Sequence, residues 1–246
     1  MSGATSQSSA VKVRIPKSVL RRLKARTLLR DFVNWVQIRS PSRWVYRGHA
    51  SASWSLKPSV GRLSNYHPDI ELFAFDAFKR SAVAHLPRSS LDTSWDWLAL
   101  AQHHGLPTRL LDWSTNPLVA AFFASEHPPG RDGQVIAVDA AAIGVYDNGE
   151  LEENDPFSAT QIRFFRPSSV ANRIVAQKGL FSIHPQPEKA WRMVRNIERF
   201  TIPKDVKIEF RRALFAIGMD DGALMADLDG LSKTLKWRLE NGMVSI

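Results

Sequence analysis

The spacing of apolar and polar residues predicts that most helices come early in the chain and most strands come later. Helical spacing of apolar residues predicts helices over residues 27–39, 70–85, 94–103, 117–126, 206–217 and 231–240. Short apolar runs bounded by glycine, proline or charged residues predict strands at 44–48, 133–139, 162–165, 173–175, 180–184 and 197–202. This order favours an α+β fold with a mixed, mostly antiparallel sheet on which the helices pack.

Residues 102–124 hold the most informative local pattern. Gly105 and Pro107 end the preceding helix, and Pro117 begins the next one. Candidate caps for that next helix are Ser114, Thr115 and Asn116. Residues 109–115 are therefore expected to form a polar turn between two buried elements, where functional side chains are often presented.

The charge and the cysteine count narrow the possible partners and chemistry. The 246 residues carry 33 Lys and Arg against 24 Asp and Glu, a net charge of +9, which favours acidic partners such as nucleic acid or nucleotide phosphates. The absence of cysteine excludes disulfides, thiolate zinc sites and a cysteine nucleophile and fits a cytoplasmic protein. The adjacent histidines His103 and His104 lack a metal-ligand spacing, so no metal is expected.

The ends of the chain suggest its organisation. Residues 1–26 are expected to form a disordered, basic N-terminal tail, and residues 27–246 to form one domain. No run approaches 18 consecutive apolar residues, so no membrane partner is expected.

Several blocks resemble the FRG domain, a family named for an aromatic-Arg-Gly triplet. Here the triplet is Tyr46, Arg47 and Gly48, and a second block spans residues 98–117. Further blocks at 172–181 and 202–231 extend the resemblance over about residues 30–240. Domains of this family occur in bacteria and phages, often near defence genes. The resemblance therefore implies a genomic context but no particular reaction.

The same blocks are similar to ADP-ribosyltransferases of the Arg-Ser-Glu type. In that class an aromatic-Arg-Gly strand binds the phosphates of NAD, and a Ser-Thr-Ser strand leads into a helix that begins Asn-Pro. This chain has Ser114 and Thr115 before Asn116 and Pro117. The third motif of that class supplies a carboxylate, whereas this chain has Gln177 in the corresponding block. The similarity implies a split sheet, an ADP-ribosyltransferase-like fold and NAD as the cofactor.

The resemblance also implies a set of site residues. Catalytic roles fall to Arg47, Asp112 and Gln177, with Asp112 ahead of Glu126 or Glu188 as the carboxylate that stabilises a ribosyl cation. Contacts to NAD are expected from Tyr46, Arg47, Gly48, His49, Gln102, His103, Arg109, Trp113, Ser114 and Thr115.

Each of these residues also has a structural interpretation. Arg47 and Asp112 could form a buried salt bridge, and Arg109 could pair with Asp112 locally. Ser114 or Thr115 could be a helix cap, and one of the two histidines could be a cap or a buried hydrogen-bonding group.

Three functions remain open from the sequence. The first is an NAD-dependent ADP-ribosyltransferase acting as a toxin or anti-phage effector, with a nucleic acid or another acidic macromolecule as acceptor and an antitoxin or other defence protein as partner. The second is a basic nucleic-acid-binding module or nuclease. The third is a non-catalytic interaction domain.

Overall fold

A computed structural model describes residues 15–40, 43–85, 91, 93–126, 128, 130–168, 176–193 and 195–243. In it, six strands form one open sheet in which every pairing is antiparallel, in the order β4-β5-β2-β1-β3-β6. The strands are β1 Trp44–His49, β2 Leu110–Ser114, β3 Gly133–Asp139, β4 Arg163–Phe165, β5 Gly179–Ile183 and β6 Ile197–Ile202. The expected α+β class and antiparallel sheet are confirmed.

Helices precede, connect and follow these strands. The α-helices are α1 Lys17–Gln37, α2 Pro68–Ala82, α3 Ser94–His103, α4 Pro117–Ala124, α5 Ala140–Ile143, α6 Asn148–Glu153, α7 Lys207–Ala216, α8 Asp221–Met225 and α9 Leu228–Glu240. Short 3-10 helices lie at Val60–Arg62, Val83–His85 and Pro156–Ser158. Residues 144–162, between α5 and β4, therefore contain α6 and the 3-10 helix Pro156–Ser158.

The polar turn expected at residues 109–115 was the wrong interpretation of that segment. Its centre is the strand β2, which lies inside the sheet between β1 and β5. This strand has only five residues, and an exposed aspartate lies at its centre. Its sequence therefore does not show the apolar pattern by which a central strand is recognised. Asn116 then caps α4, because its side chain accepts a hydrogen bond from the backbone N–H of Leu118 at 3.0 Å.

Helix α1 begins ten residues earlier than the pattern predicted. Residues 17–26, expected to belong to the N-terminal tail, are its first turns. Only Ala25 among them is buried. Because the buried stripe starts so late, apolar periodicity could not reveal those turns. Residues 1–14 and the expected strand at 173–175 lie outside the described residues.

Helix α4 packs closely on β1 and β3, and one glycine in each strand permits this approach. A Cβ on Gly48 would lie 2.1 Å from the carbonyl oxygen of Ala120, and one on Gly133 would lie 1.9 Å from that of Ala124. Real side chains never approach backbone atoms so closely, so both positions require glycine. Gly48 thus serves helix packing, in addition to any role beside a ligand.

The sheet is weakest in its middle, between β1 and β2. These strands share one register pair, Tyr46 with Ser114, whereas β1 and β3 share six. The sheet is therefore continuous, but it opens beyond this pair. The six strands form one sheet, so the expected split stays a prediction.

Apolar residues from alternate strand positions fill the two sides of the sheet. Tyr46, Val135 and Ala137 pack with residues of α1, α4 and α7 in one cluster. Val45 and Ile136, from the alternate positions, pack into a second cluster with Trp113. A third cluster joins α2 and α3 to β4 and β5. The opening between β1 and β2 is thus held between packed layers.

We expect Gly48→Ala to lower the free energy of unfolding by about 2 kcal/mol or more, because the new methyl group overlaps the backbone of α4. Urea unfolding followed by circular dichroism measures this change. Gly130→Ala is the control, since no atom lies within 4 Å of the added methyl group, and its effect should stay within about 0.5 kcal/mol. A Gly48→Ala protein as stable as the parent would contradict the close packing.

Candidate functional site

A cavity of about 520 Å³ lies where β1 and β2 separate. This volume is in the usual range for small-molecule sites. Its polar lining includes Arg47, Ser59, Gln102, His103, Asp112, Ser114, Glu126 and Gln177, and its apolar lining includes Tyr46, Trp54, Leu106, Val119, Phe123 and Phe181. Most of the residues expected to form a site therefore share one hollow.

The Arg47 side chain bridges the opening between the two strands. Its Nη1 donates to the backbone carbonyl of Asp112 at 2.6 Å, and its Nε donates to Nε2 of His49 at 3.2 Å. Burial lowers the pKa of Arg47 and the Asp112 carboxylate opposes that shift, but a guanidinium stays protonated at neutral pH. Among the contacts of the described residues, Nη2 of Arg47 has no acceptor, so a ligand anion can use it.

The Asp112 carboxylate remains available to a ligand. Its Oδ2 lies 3.4 Å from Nη1 of Arg47, farther than the backbone carbonyl of the same residue. The Asp112 side chain is 59% exposed. Arg47 and Asp112 thus do not form the buried salt bridge that was the structural alternative for this pair. The cavity instead presents a cation and a carboxylate side by side.

His49 lies beneath Arg47 rather than in the cavity wall. It is buried, and burial followed by the charge of Arg47 lowers its pKa to about 3. His49 is therefore neutral at physiological pH and can accept the hydrogen bond from Arg47. It orients the guanidinium instead of adding a second positive charge.

Ser114, Thr115 and Gln177 join β2 to the chain before β5. The Ser114 hydroxyl donates to the carbonyl oxygen of Gln177 at 2.5 Å and accepts from the backbone N–H of Asn116. Thr115 Oγ1 donates to the carbonyl of Lys178 at 3.5 Å. Gln177 Nε2 donates to the carbonyl of Leu224 at 3.2 Å. These bonds shape the cavity wall and occupy the Ser114 hydroxyl.

The end of α3 supplies another wall. The Thr108 hydroxyl donates to Oε1 of Gln102, and Nε2 of Gln102 points to the carbonyl of Leu110 at 3.5 Å. His103 lines the cavity and contacts the ring of His104, which is the C-cap of α3. Gln102 is thus mainly a brace between α3 and β2.

Two expected NAD contacts have other partners. Arg109 is buried and donates through Nε and Nη2 to both carboxylate oxygens of Glu71, at 2.9 and 2.7 Å. It lies outside the cavity lining and does not pair with Asp112. Trp113 touches the cavity but is 3% exposed, and its Nε1 donates to Ser182 Oγ at 2.9 Å. Tyr46 is also buried, in the cluster beneath α4.

Residues 42–132 match the FRG domain. The match contains β1, β2, α4 and every residue expected in the site except Gln177. It is shorter than the expected span of about residues 30–240, so the resemblance of the later blocks stays a prediction. No curated protein and no solved structure matches the chain at a significant level.

Within the matched segment, three further residues line the cavity: Trp54, Phe123 and Glu126. The position of Trp54 next to the aromatic-Arg-Gly motif makes it a candidate for a pocket wall from sequence, whereas Phe123 has only the pattern of an apolar helix residue. Glu126 was ranked behind Asp112, although it lines the same cavity and lies 3.7 Å from Arg211. Phe123 reaches the cavity because α4 packs on β1, and no local pattern encodes that packing.

In the part of the chain that the structure describes, no group of three or more His, Asp or Glu side chains could hold a metal ion. No helix among those same residues is both long enough and apolar enough to cross a membrane.

We expect the free energy of unfolding to fall as the pH is lowered from about 6.5 toward 3. The buried residues His49 and His184 both have a pKa of about 3 in the folded protein, whereas an unfolded histidine titrates near 6.5. The unfolded chain therefore binds more protons in this range, and each histidine contributes up to about 1.4 kcal/mol per pH unit. Urea unfolding at a series of pH values measures the slope.

The His49→Gln variant isolates one contribution, because glutamine keeps an acceptor for Arg47 but does not titrate. We expect it to reduce the slope by about 1.4 kcal/mol per pH unit. The exposed His104→Gln protein is the control and should keep the parent slope. Equal slopes in the parent and His49→Gln proteins would show that His49 is not held neutral.

Proposed function

We propose that the cavity binds NAD and that the protein transfers ADP-ribose from NAD to an acceptor. The observation that carries the proposal is the pair formed by Arg47 and Asp112 in one open cavity. The two residues come from different strands, 65 positions apart in sequence. A fixed cation beside an exposed carboxylate suits a ligand that combines phosphates with a reacting sugar.

Arg47 is suited to bind the pyrophosphate of NAD. Its Nε and Nη1 are held by His49 and by the Asp112 carbonyl, so the guanidinium is oriented before the ligand arrives. Charge-assisted hydrogen bonds from arginine to phosphate are among the stronger polar contacts in proteins. A preorganised arginine loses little side-chain entropy on binding.

Asp112 is suited to the chemical step. The bond between the nicotinamide nitrogen and C1′ of the ribose breaks, and its electron pair leaves with neutral nicotinamide. Positive charge then develops on the ribose, and a nearby carboxylate stabilises it. An acceptor oxygen or nitrogen forms the new bond to C1′ and releases its proton to solvent.

Gln177 has a positioning role in this scheme. Its side-chain amide donates to Leu224 and its backbone carbonyl accepts from Ser114. An amide in this place carries no charge, so the charge that stabilises the ribosyl cation comes from Asp112. His103 and Glu126 complete the wall and are candidates to contact the acceptor.

The proposed biological role is that of a cytoplasmic toxin or anti-phage effector. Its support is the resemblance of residues 46–48 and 114–124 to transferases, together with the FRG match. A basic protein of this kind would act on an acidic acceptor such as nucleic acid. An antitoxin or another defence protein would restrain it.

We expect Arg47→Ala to raise the Kd for NAD by about tenfold or more. We expect Asp112→Asn to lower the rate of nicotinamide release by about 100-fold or more while the Kd for NAD changes little. Isothermal titration measures binding, and chromatography of released nicotinamide measures turnover.

Arg80→Ala and Asp76→Asn are matched controls on α2, outside the cavity. They should leave both quantities unchanged. If the folded parent neither binds NAD nor releases nicotinamide, and the cavity variants change only the melting temperature, then the site is structural and the interaction-domain function replaces this one.

A second candidate function is nucleic-acid binding, and one feature of α1 favours it. Four exposed cations on this helix form no ion pair with any described residue: Lys17, Arg21, Lys24 and Arg26. Unpaired cations on a helix attract phosphates and release counterions when they bind. These cations could also bring a nucleic-acid acceptor to the transferase cavity.

We expect the variant with these four residues changed to glutamine to bind DNA or RNA oligonucleotides more weakly. The slope of log K against log salt should become less steep by about 3 to 4, because each phosphate contact contributes about 0.9. Fluorescence anisotropy over a salt series measures both quantities. The control variant removes the same charge elsewhere on the protein. It replaces four other exposed residues with glutamine: Lys178, Lys189, Arg192 and Arg195. An equal loss in this control would contradict a site on α1.

A further inference from the structure

Trp54 is the most exposed aromatic side chain among the described residues that line the cavity. It is 46% exposed, whereas Tyr46, Trp113 and Phe181 are buried. An indole left half in water keeps apolar surface that a flat ligand could cover. The ring therefore has the character of a binding platform.

The loop that carries Trp54 is fixed at several points. The buried Lys207 donates through Nζ to the carbonyl of Ala50 at 2.6 Å, and the backbone N–H of Ala52 donates to the carbonyl of Asp132 at 2.7 Å. The N–H of Trp54 itself donates to the carbonyl of Ser51 at 3.1 Å. Little backbone entropy is then lost when a ligand covers the ring.

The groups around Arg47 follow a definite order. The Trp54 and His49 rings meet edge to face with centroids 6.1 Å apart, and Nε2 of His49 lies 3.2 Å from Nε of Arg47. Nη1 of the same guanidinium lies 3.4 Å from Oδ2 of Asp112. The chain of contacts thus runs from the Trp54 ring through Arg47 to the Asp112 carboxylate. A dinucleotide has the same order, with phosphates between two ring-bearing halves.

We infer that Trp54 stacks the adenine ring of the bound nucleotide. This inference rests on the proposed function, because Asp112 must face the nicotinamide ribose for the chemical step. The pyrophosphate on Arg47 then directs the adenosine half toward Trp54. Trp54 is consequently a residue that determines affinity for the adenosine half, while Asp112 acts on the other half.

The test compares four probes: NAD, ADP-ribose, ADP and nicotinamide mononucleotide, of which the last lacks adenine. We expect Trp54→Ala to raise the Kd of the three adenine-containing probes by about 5-fold to 150-fold, the range that stacking of one base supplies. The Kd of nicotinamide mononucleotide should not change. Trp54→Phe keeps a ring and should stay within about threefold of the parent. Isothermal titration measures all four.

The control is Phe73→Ala, which removes an exposed aromatic ring on α2, outside the cavity. It should bind every probe like the parent, and melting curves report whether each variant folds. An equal loss for ADP and nicotinamide mononucleotide in Trp54→Ala overturns the inference, and so does the absence of any loss.

The outcomes for the parent protein separate this inference from the proposed function. If the parent binds ADP but neither binds NAD nor releases nicotinamide, the transferase function fails, and the effect of Trp54→Ala on ADP still decides the stacking. If the parent binds NAD and Trp54→Ala binds it equally well, the function stands and the stacking fails. If the parent binds none of the four probes, both fail.

Discussion

The hydrogen bond from Arg47 to the backbone carbonyl of Asp112 is the contact on which the rest of the site depends. Beyond the pair of Tyr46 with Ser114, β1 and β2 are no longer joined by a described ladder pair, and a side chain replaces the backbone pairing. A carbonyl left without a donor inside a sheet would be costly. The guanidinium satisfies that carbonyl and keeps the strands apart. The separation leaves room for the cavity.

The two residues that follow Arg47 in the chain are suited to its position. His49 is kept neutral beneath it, so that the imidazole accepts a hydrogen bond and adds no repulsion. Gly48 lets α4 lie directly on β1, and α4 supplies Val119 and Phe123 to the cavity. Adjacent positions of one short strand thus place a guanidinium in the cavity, support that guanidinium and allow close helix packing.

The sequence predicted those parts of the structure whose determinants are local. Helix α3 and strand β6 have the expected bounds, because the helix has a capping residue and regular apolar spacing and the strand is a short run rich in β-branched and aromatic residues. The grouping of Arg47, Asp112, Gln102, Ser114 and Gln177 was also anticipated through the family resemblance. By contrast, β2 was taken for a turn because its exposed aspartate masks a buried strand. Arg109 and Trp113 find partners 38 and 69 residues away, at Glu71 and Ser182, which no local pattern shows.

The sheet order gives the FRG match a structural meaning of its own. The matched residues 42–132 include β1 and β2, the two innermost strands. The outer neighbours of these strands, β3 and β5, lie beyond residue 132, as does the lysine that anchors Ala50. A fragment cut at that boundary would expose both innermost strands as bare edges, which invite aggregation. The matched segment is thus the centre of a larger folding unit, and residues far downstream must be synthesised before the cavity can form.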